Sequence, residues 1–598
     1  MTRRFIGFGA KEIETRAQSN PEDIPDLIEE LTHRKSAGAR RLLEKLKRTG
    51  GKAPPRAPNQ SDLFDAGSIQ DGGKGESSAY PQMRRRERPF NWKKLNGFPP
   101  TDEQEQAVDH FINGDSMKIS AFAGTGKTST LRFLAATAPK ERGLYLAFNR
   151  SIAKEAKGVF TAKTDCRTTH SAALTDLRPR YAFPKDKWFN DVGPKQLASA
   201  WEIDRYDAGA TILEPDMVTH LALQAVKRFC HSGDDEVEGR HVRLAGKALG
   251  LSAERRVELE EFVLAMARQL WASRISESSD IPLGHDGYLK LWSISKPQLA
   301  YAFVLLDEAQ DTNPAVLSIL KRQKTQMIYV GDKHQQIYEW RGAENAMETI
   351  VGVSETHLTM SFRFGPAIAD AANRVLAALG ESRSLVGNPN KRSEVVGEGS
   401  SRTVLTRSNA MLFREIVNAL DNNMTPHVVG GTRDMTAMLR DVDRLQRGEP
   451  GARPEFFGFT NWAEVVEYAQ KPEGENLAQF VNLVEQMGRG ALWRAILSTT
   501  DSEAEADIVV STAHKAKGRE WKSVRLSEDF ASAELENGRI PYSEARLFYV
   551  AMTRAEERLV VDPALLYAFT HKLTPDAPDG RRAAPDLGLD DDSAGLTE

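Results

Sequence analysis

Residues 121–128 read AFAGTGKT, and this octapeptide constrains the fold more than any other stretch of the chain. It follows a short apolar run (MKIS, 117–120) and leads into a helical one (STLRFLAA, 129–136). A glycine-rich turn between strand and helix points its backbone N–H groups outward, with the positive end of the helix behind them. The pattern therefore predicts an α/β domain with a phosphate cradle at a strand's end. Ala123, Gly124, Thr125 and Gly126 form the cradle, and Ser129 stands in the first helical turn. Lys127 adds a point charge for the β- and γ-phosphates, and the Thr128 hydroxyl can hold Mg²⁺. The first glycine usual in such loops is Ala121 here.

A second segment, VLLDEAQD (304–311), completes the chemistry. Val304, Leu305 and Leu306 read as a buried strand ending in two carboxylates. Asp307 is placed to take the metal and Glu308 to polarise an attacking water. The pair of segments predicts a motor driven by ATP and Mg²⁺; a degenerate pseudo-enzyme is the bland alternative.

A chain of 598 residues predicts several domains, roughly four. Net charge is −4, so nucleic-acid contact must come from local patches or grooves. Cys166 and Cys230 are the only cysteines, which excludes a disulfide framework, a cysteine-built zinc site and an iron–sulfur cluster. The N-terminus lacks an apolar core, and no stretch approaches a membrane span. The expectation is a soluble cytoplasmic protein without membrane contact.

Residues 1–49 carry helical patterning, and 50–97 read as a flexible linker with a basic end, RRRERPFNWKK (84–94). From 98 onward, strand-like runs alternate with helical segments, the pattern of α/β architecture with mainly parallel sheets. The fold class expected is two RecA-like P-loop motor domains, each interrupted by a helical insertion. The first is assigned 98–171 and 291–380 around an insert at 172–290; the second, 381–430 and 501–572 around a reduced insert at 431–500. The acidic tail, 573–598, reads as disordered. His220, His231, His241 and His285 lack metal-ligand spacing.

The remaining motifs suit a nucleic-acid motor. TDEQEQAV (101–108) offers Gln104, whose amide can read an adenine edge, and VGDKHQQIYEWRGA (330–343) offers Gln335 and exposed aromatics. SFRFG (361–365) and YVAMTRA (549–555) each supply an arginine able to neutralise charge on a transferred phosphoryl group. STAHKAKGREW (511–521) is a Gly- and Lys-containing turn after an apolar strand. This ordered set resembles superfamily 1A helicases of the UvrD/Rep type, in which the phosphate loop commonly starts with alanine. LTMSFRFGPAIAD (358–370), NWAEVVEYA (461–469) and STAHKAKGREW look most like the F-box DNA helicases, although no F-box is legible in 1–97.

The resemblance implies roles residue by residue. Gln104 reads adenine and Phe362 stacks on it. Lys127 and Thr128 hold phosphate and Mg²⁺, Asp307 the metal and Glu308 the water. Gln335 couples nucleotide state to the DNA groove, Arg363 and Arg554 are arginine fingers, and Glu520 approaches the sugar and γ-phosphate. Phe148, His170, Trp340 and His514 fall where the family stacks single-stranded DNA bases. Asn149 departs from the threonine usual beside that phenylalanine.

By resemblance the function is 3′→5′ translocation on single-stranded DNA and unwinding of partially duplex DNA. Alternatives are a translocase that strips recombinase filaments with little unwinding, an RNA motor, and a DNA- or clamp-binding scaffold with structural ATP. QSDLF (60–64) resembles the peptide by which bacterial replication proteins grip the sliding clamp, with Gln60 filling a polar pocket and Leu63 and Phe64 an apolar one.

Overall fold

Apolar runs of four to six residues bounded by turns build the first of two parallel sheets in the computed structural model. The structure describes residues 86, 97 and 99–576, apart from 210, 245–247, 249, 339–344, 450, 452, 454–455, 457–458, 471–473 and 534–537. The N-terminal segment, the QSDLF peptide, Trp340 and residues 577–598 lie outside the described residues. No helix among the described residues is long and apolar enough to cross a membrane.

The first sheet contains β1 (Met117–Ala121), β2 (Gly143–Ala147), β3 (Thr164–Thr168), β4 (Phe303–Leu306), β5 (Gln326–Gly331) and β6 (Ser354–Leu358). Their order is β3-β2-β4-β5-β1-β6, with every pairing parallel. Every residue of β2, β4 and β5 is buried, so these strands read as unbroken apolar runs without alternation. Strand β3 (TDCRT) carries little apolar signal because it is an edge strand. Around the sheet lie α1 (Asp102–Ile112), α2 (Lys127–Thr137) and α3 (Arg150–Val159). A parallel sheet brings the C-terminal ends of its strands to one edge, so the loops after β1, β4 and β5 emerge together.

The described chain divides into two compact units, and a helical one comprises Thr169–Gln298 and Asn313–Arg322. It includes α4 (Thr169–Leu177), α5 (Pro215–Cys230), α6 (Ala253–Ile275), α7 (Gly284–Ile294) and α8 (Pro314–Lys321). Phe229 and Trp271 meet edge to face at 5.2 Å in its core. Ser293 Oγ donates to the Ala315 carbonyl at 3.0 Å, tying α8 to α7 within this unit. Two buried lysines are held by carbonyls: Lys187 by Ser273, Ser279 and Ile281, and Lys290 by Ser232 and Asp234.

The other unit holds both sheets. The second sheet contains β7 (Glu394–Val396), β8 (Thr403–Thr406), β9 (Pro426–Val428), β10 (Ile508–Thr512), β11 (Trp521–Leu526) and β12 (Ala555–Val560). Its order is β9-β10-β8-β11-β12-β7, again all parallel. Helices α9 (Pro366–Ala378), α10 (Asn409–Asp421), α11 (Arg433–Gln446), α12 (Trp462–Ala469), α13 (Glu475–Met487), α14 (Arg489–Leu497) and α15 (Tyr542–Met552) complete it.

Successive residues of β8 serve opposite faces. Leu405 joins a core with Phe364, Ile368, Val524 and Phe548, and the phosphate-loop residues Phe122 and Ala123 enter that same core. Val404 joins another core with Val428 and Val510, and with Met435, Leu439, Phe480, Val484 and Ile496. The helices of 431–500 therefore form the layer covering one face of the second sheet. They share its core because β8 and β10 are apolar on both sides. Farther along, Leu573–Thr574 pairs in parallel with Ile540–Pro541, so regular structure reaches into the stretch read as an acidic tail.

Candidate nucleotide site and aromatic strip

Gly126 opens α2 with φ 78° and no side-chain cap, leaving the first N–H groups of the helix to a ligand. Gly124 (φ 73°) is left-handed too, and a Cβ there would lie 2.5 Å from Ser361 Oγ and 2.7 Å from Arg363 Cβ. This close approach lets the Phe362 N–H donate to the Gly124 carbonyl at 2.7 Å. Gln104 lies under the same turn: a Cβ on Gly126 would be 3.3 Å from its Nε2 and 3.3 Å from the Phe362 ring. Thr101 and Gln104 form a capping box on α1, and Gln104 Nε2 donates to Thr130 Oγ1 at 3.0 Å. The Gln104 amide is thus fixed beside an exposed aromatic ring, Phe362.

Past β4, the carboxylates sit against the loop. Thr128 Oγ1 is 3.3 Å from Asp307 Oδ2, which also accepts from Tyr145 OH at 2.7 Å. Burial, then the charge of Glu308, pushes the Asp307 carboxyl above the usual carboxylate range. A hydroxyl facing a buried, charge-frustrated carboxylate is a hard-oxygen donor set that fits Mg²⁺. Glu308 has φ 51°, a left-handed backbone for a non-glycine residue. Its carboxylate is 3.9 Å from Lys127 Nζ and accepts from Gln310 Nε2 at 2.6 Å. Burial opposes its ionisation, yet Lys127, Lys517 and Gln310 together hold it below the usual carboxylate range.

A hydrogen-bonded path runs onward from Glu308. The Asp332 N–H donates to Gln310 Oε1 at 3.1 Å, and Gln335 Nε2 donates to Asp332 Oδ2 at 2.7 Å. Tyr549 OH donates to the same Oδ2 at 3.1 Å and accepts from the Ala123 N–H at 3.2 Å. The path therefore returns to the phosphate loop through a residue of α15.

Two arginines face this region. Arg363 Nε donates to Glu520 at 2.6 Å, and its Nη1 donates to the Thr553 carbonyl at 2.9 Å. Arg554 is buried and, among the described residues, donates to neutral oxygens, those of Val550, Arg519 and Thr553. Burial first, then Arg363, holds its pKa below the ordinary arginine value. A buried guanidinium bonded to neutral oxygens suits an incoming anion.

Lys517 links this site to an aromatic strip. Its Nζ donates to the Gln335 carbonyl at 2.6 Å, pairs with the buried Asp311, and lies 5.4 Å over the Tyr338 ring. Tyr338 stacks with Phe148 at 5.8 Å, and its OH donates to the His514 carbonyl at 3.3 Å. Phe148 is 42% exposed, so one end of the strip is open to a base.

A family model described as the UvrD/REP helicase N-terminal domain matches residues 100–353, and one described as the UvrD-like helicase C-terminal domain matches 457–564. The chain belongs to the UvrD/Rep helicase family. It is 29% identical over 510 residues to F-box DNA helicase 1 of Gallus gallus, covering 78% of this chain and 49% of that protein. It is also 29% identical over 538 residues to F-box DNA helicase protein 1 of Schizosaccharomyces pombe, covering 81% of this chain and 59% of that protein. A probable DNA helicase of Mycoplasma pneumoniae is 36% identical over 94 residues, 14% of this chain and 18% of that protein. The chain spans about half to three-fifths of the length of the two F-box relatives.

Among residues matched to the family by sequence, the structure brings together Gln104, the loop 123–129, Asp307, Glu308, Gln335, Phe362, Arg363, Glu520 and Arg554. Phe148 and His514 share the strip. His170 belongs to the helical unit, packed against Tyr288 and His285 at ring distances of 5.8 and 6.3 Å. Asn149, at the variant position, caps α3 through its Oδ1, which accepts from the Ile152 N–H at 2.9 Å. Sequence reading left Tyr145, Gln310, Asp332, Tyr338, Lys517 and Tyr549 without roles, although all but Tyr145 stand inside the motifs above. Their partners are distant in sequence, so only the fold shows them. Among the described residues, no group of three or more His, Cys, Asp or Glu side chains is placed to hold a metal.

Proposed function

We infer that the chain hydrolyses ATP to move 3′→5′ along single-stranded DNA and to separate duplex ahead of it. The observation that carries this reading is the continuous path from Glu308 through Gln310, Asp332 and Gln335 to Lys517 and the Phe148–Tyr338 strip. Hydrogen bonds as far as Lys517, and ring contacts beyond it, thereby join the group that polarises water to the group that meets DNA.

In the proposed cycle, the loop N–H groups and Lys127 hold the phosphates while Phe362 and Gln104 take the adenine. Thr128 and Asp307 would hold Mg²⁺, which would supply charge neutralisation for the phosphates. Glu308, kept ionised by Lys127 and Lys517, orients the attacking water. Arg363 and Arg554 stabilise the charge of the transferred group. Arg363 follows the first sheet, whereas Glu520 and Arg554 belong to the second, so nucleotide binding favours closure between the sheets and hydrolysis releases it. Direction is carried by the family resemblance.

The test is strand separation of duplexes bearing a 3′ or a 5′ single-stranded tail, with Glu308→Gln as control. Opening of only the 3′-tailed duplex supports the reading. DNA-stimulated hydrolysis with neither duplex opened assigns a translocase that clears proteins from DNA. Nucleotide binding without turnover assigns a scaffold.

A further inference from the structure

At the opposite edge of the first sheet, where β2 and β3 begin, lies a cavity of about 520 Å³. Lys140 and Arg142 line it from the segment before β2, Lys163 from the turn before β3, and Lys157 from the last turn of α3. All four side chains are exposed. Among the described residues, Lys140, Lys157 and Lys163 have no carboxylate partner. Arg142 is steadied by the Tyr301 ring, 4.6 Å from its guanidinium carbon.

One carboxylate, Asp165, also lines the cavity, and both it and the neighbouring Glu141 are already engaged. Asp165 accepts from Arg167 Nε at 2.8 Å and from Tyr301 OH at 2.9 Å. Glu141 accepts from Arg86 Nε at 3.0 Å and from its Nη2 at 2.8 Å. Arg86 is itself buried, donating to the Phe111 carbonyl at 2.7 Å with its guanidinium 4.3 Å over the Phe111 ring. Each of these two acids has its own arginine, which leaves three lysines without a carboxylate among the described residues, with Arg142 beside them on the Tyr301 ring. In a chain of net charge −4, this is a local concentration of positive charge that composition does not supply.

We propose that this cavity is a second nucleic-acid site, gripping the phosphate backbone of a DNA segment outside the motor groove. The proposal rests on the DNA-motor reading above. The lining contains no aromatic ring and no side-chain amide, so the site senses charge and not base identity. Strand β2 separates Arg142 from Phe148, a span of roughly 20 Å at about 3.3 Å per residue. Nucleotides held in the cavity are therefore different from any stacked on Phe148. They belong either to the duplex ahead of the motor or to the strand behind it, which offer the same phosphate chemistry.

The test uses the full chain carrying Lys140→Ala, Lys157→Ala and Lys163→Ala together, all at exposed positions. Fluorescence anisotropy across a salt series compares a short oligothymidylate that fills only the motor groove, a long one, and a 3′-tailed duplex. The expected result is unchanged binding of the short strand and unchanged ATP hydrolysis stimulated by it. The long strand or the tailed duplex should bind at least tenfold more weakly at low salt. The slope of log K against log salt should fall by up to about 2.7 if duplex is gripped, about 0.9 for each phosphate no longer neutralised, and by up to about 2.1 if single strand is gripped, about 0.7 for each. Weakening confined to the tailed duplex assigns the duplex arm, and weakening on the long strand assigns the trailing strand; either supports the site. Lysine-to-arginine replacement at the same positions should preserve binding. Equal affinity and salt slope for every DNA would overturn the proposal. Failure of the motor reading shows separately, as hydrolysis by the unaltered chain that no DNA stimulates.

Discussion

Gln310 holds the Glu308 carboxylate through a 2.6 Å hydrogen bond and accepts the Asp332 N–H at 3.1 Å with the other end of the same amide. One side chain thus fixes the water-polarising group relative to the segment that carries Gln335. Gln310→Ala is expected to lower kcat for ATP by up to about 100-fold through misplacement of Glu308, with KM little changed. Steady-state hydrolysis measures both, and a rise in KM alone would show that Gln310 serves binding instead.

Lys517 and Asp311 form a buried pair at the junction between nucleotide site and aromatic strip. Removing one partner of such a pair costs about 3–5 kcal/mol, because the other is left buried and uncompensated. Lys517→Met should show that loss in urea denaturation, and adding Asp311→Leu should recover much of it. Neither variant should regain stimulation of hydrolysis by DNA, since the bond to the Gln335 carbonyl is absent in both.

Phe148 stacks on Tyr338 and is an exposed ring. Phe148→Ala should weaken single-stranded DNA binding by about 1–3 kcal/mol, the contribution of one stacked base. Hydrolysis without DNA should stay as it was, and anisotropy titration beside an ATPase assay separates the two effects.

The helices of 431–500 share a core with the second sheet, and Leu439 is fully buried in it. Leu439→Ala should cost about 2–5 kcal/mol. Deleting 431–500 should abolish cooperative unfolding instead of releasing a restrained motor. A well-folded, hyperactive deletion variant would contradict the shared core.

Glu381 accepts from His334 at 2.9 Å and pairs with Lys333 at 2.8 Å. The His334 hydrogen bond, opposed by burial and helped by Lys333, holds its carboxyl well below the usual glutamate range. A depressed carboxylate stabilises the fold above its unfolded pKa of about 4.3, and that stability is lost as pH falls below it. The stability difference between the unaltered chain and Glu381→Gln should therefore shrink from about pH 5 downward. A constant difference across that range would contradict the pairing.

The two-sheet α/β architecture was legible because β2, β4, β5, β8 and β10 are buried on both faces and stand out against the polar stretches between them. The phosphate loop and the DEAQD segment were legible because backbone geometry and metal chemistry restrict which residues can stand there. Strand β3 was hidden by its polar edge position. Met435, Leu439 and Val442 repeat at helical spacing, which announces a buried helix face without saying which sheet it covers. The roles of Gln310, Asp332 and Tyr549 depend on partners as far apart as Ala123 and Tyr549, a pairing only the folded chain creates.

The most direct measurement is the rate of ATP hydrolysis with and without saturating single-stranded DNA, on the unaltered chain and on Glu308→Gln. A strong stimulation by DNA that Glu308→Gln abolishes is expected if the path from Glu308 to the Phe148–Tyr338 strip couples the two sites. Equal rates with and without DNA would contradict it.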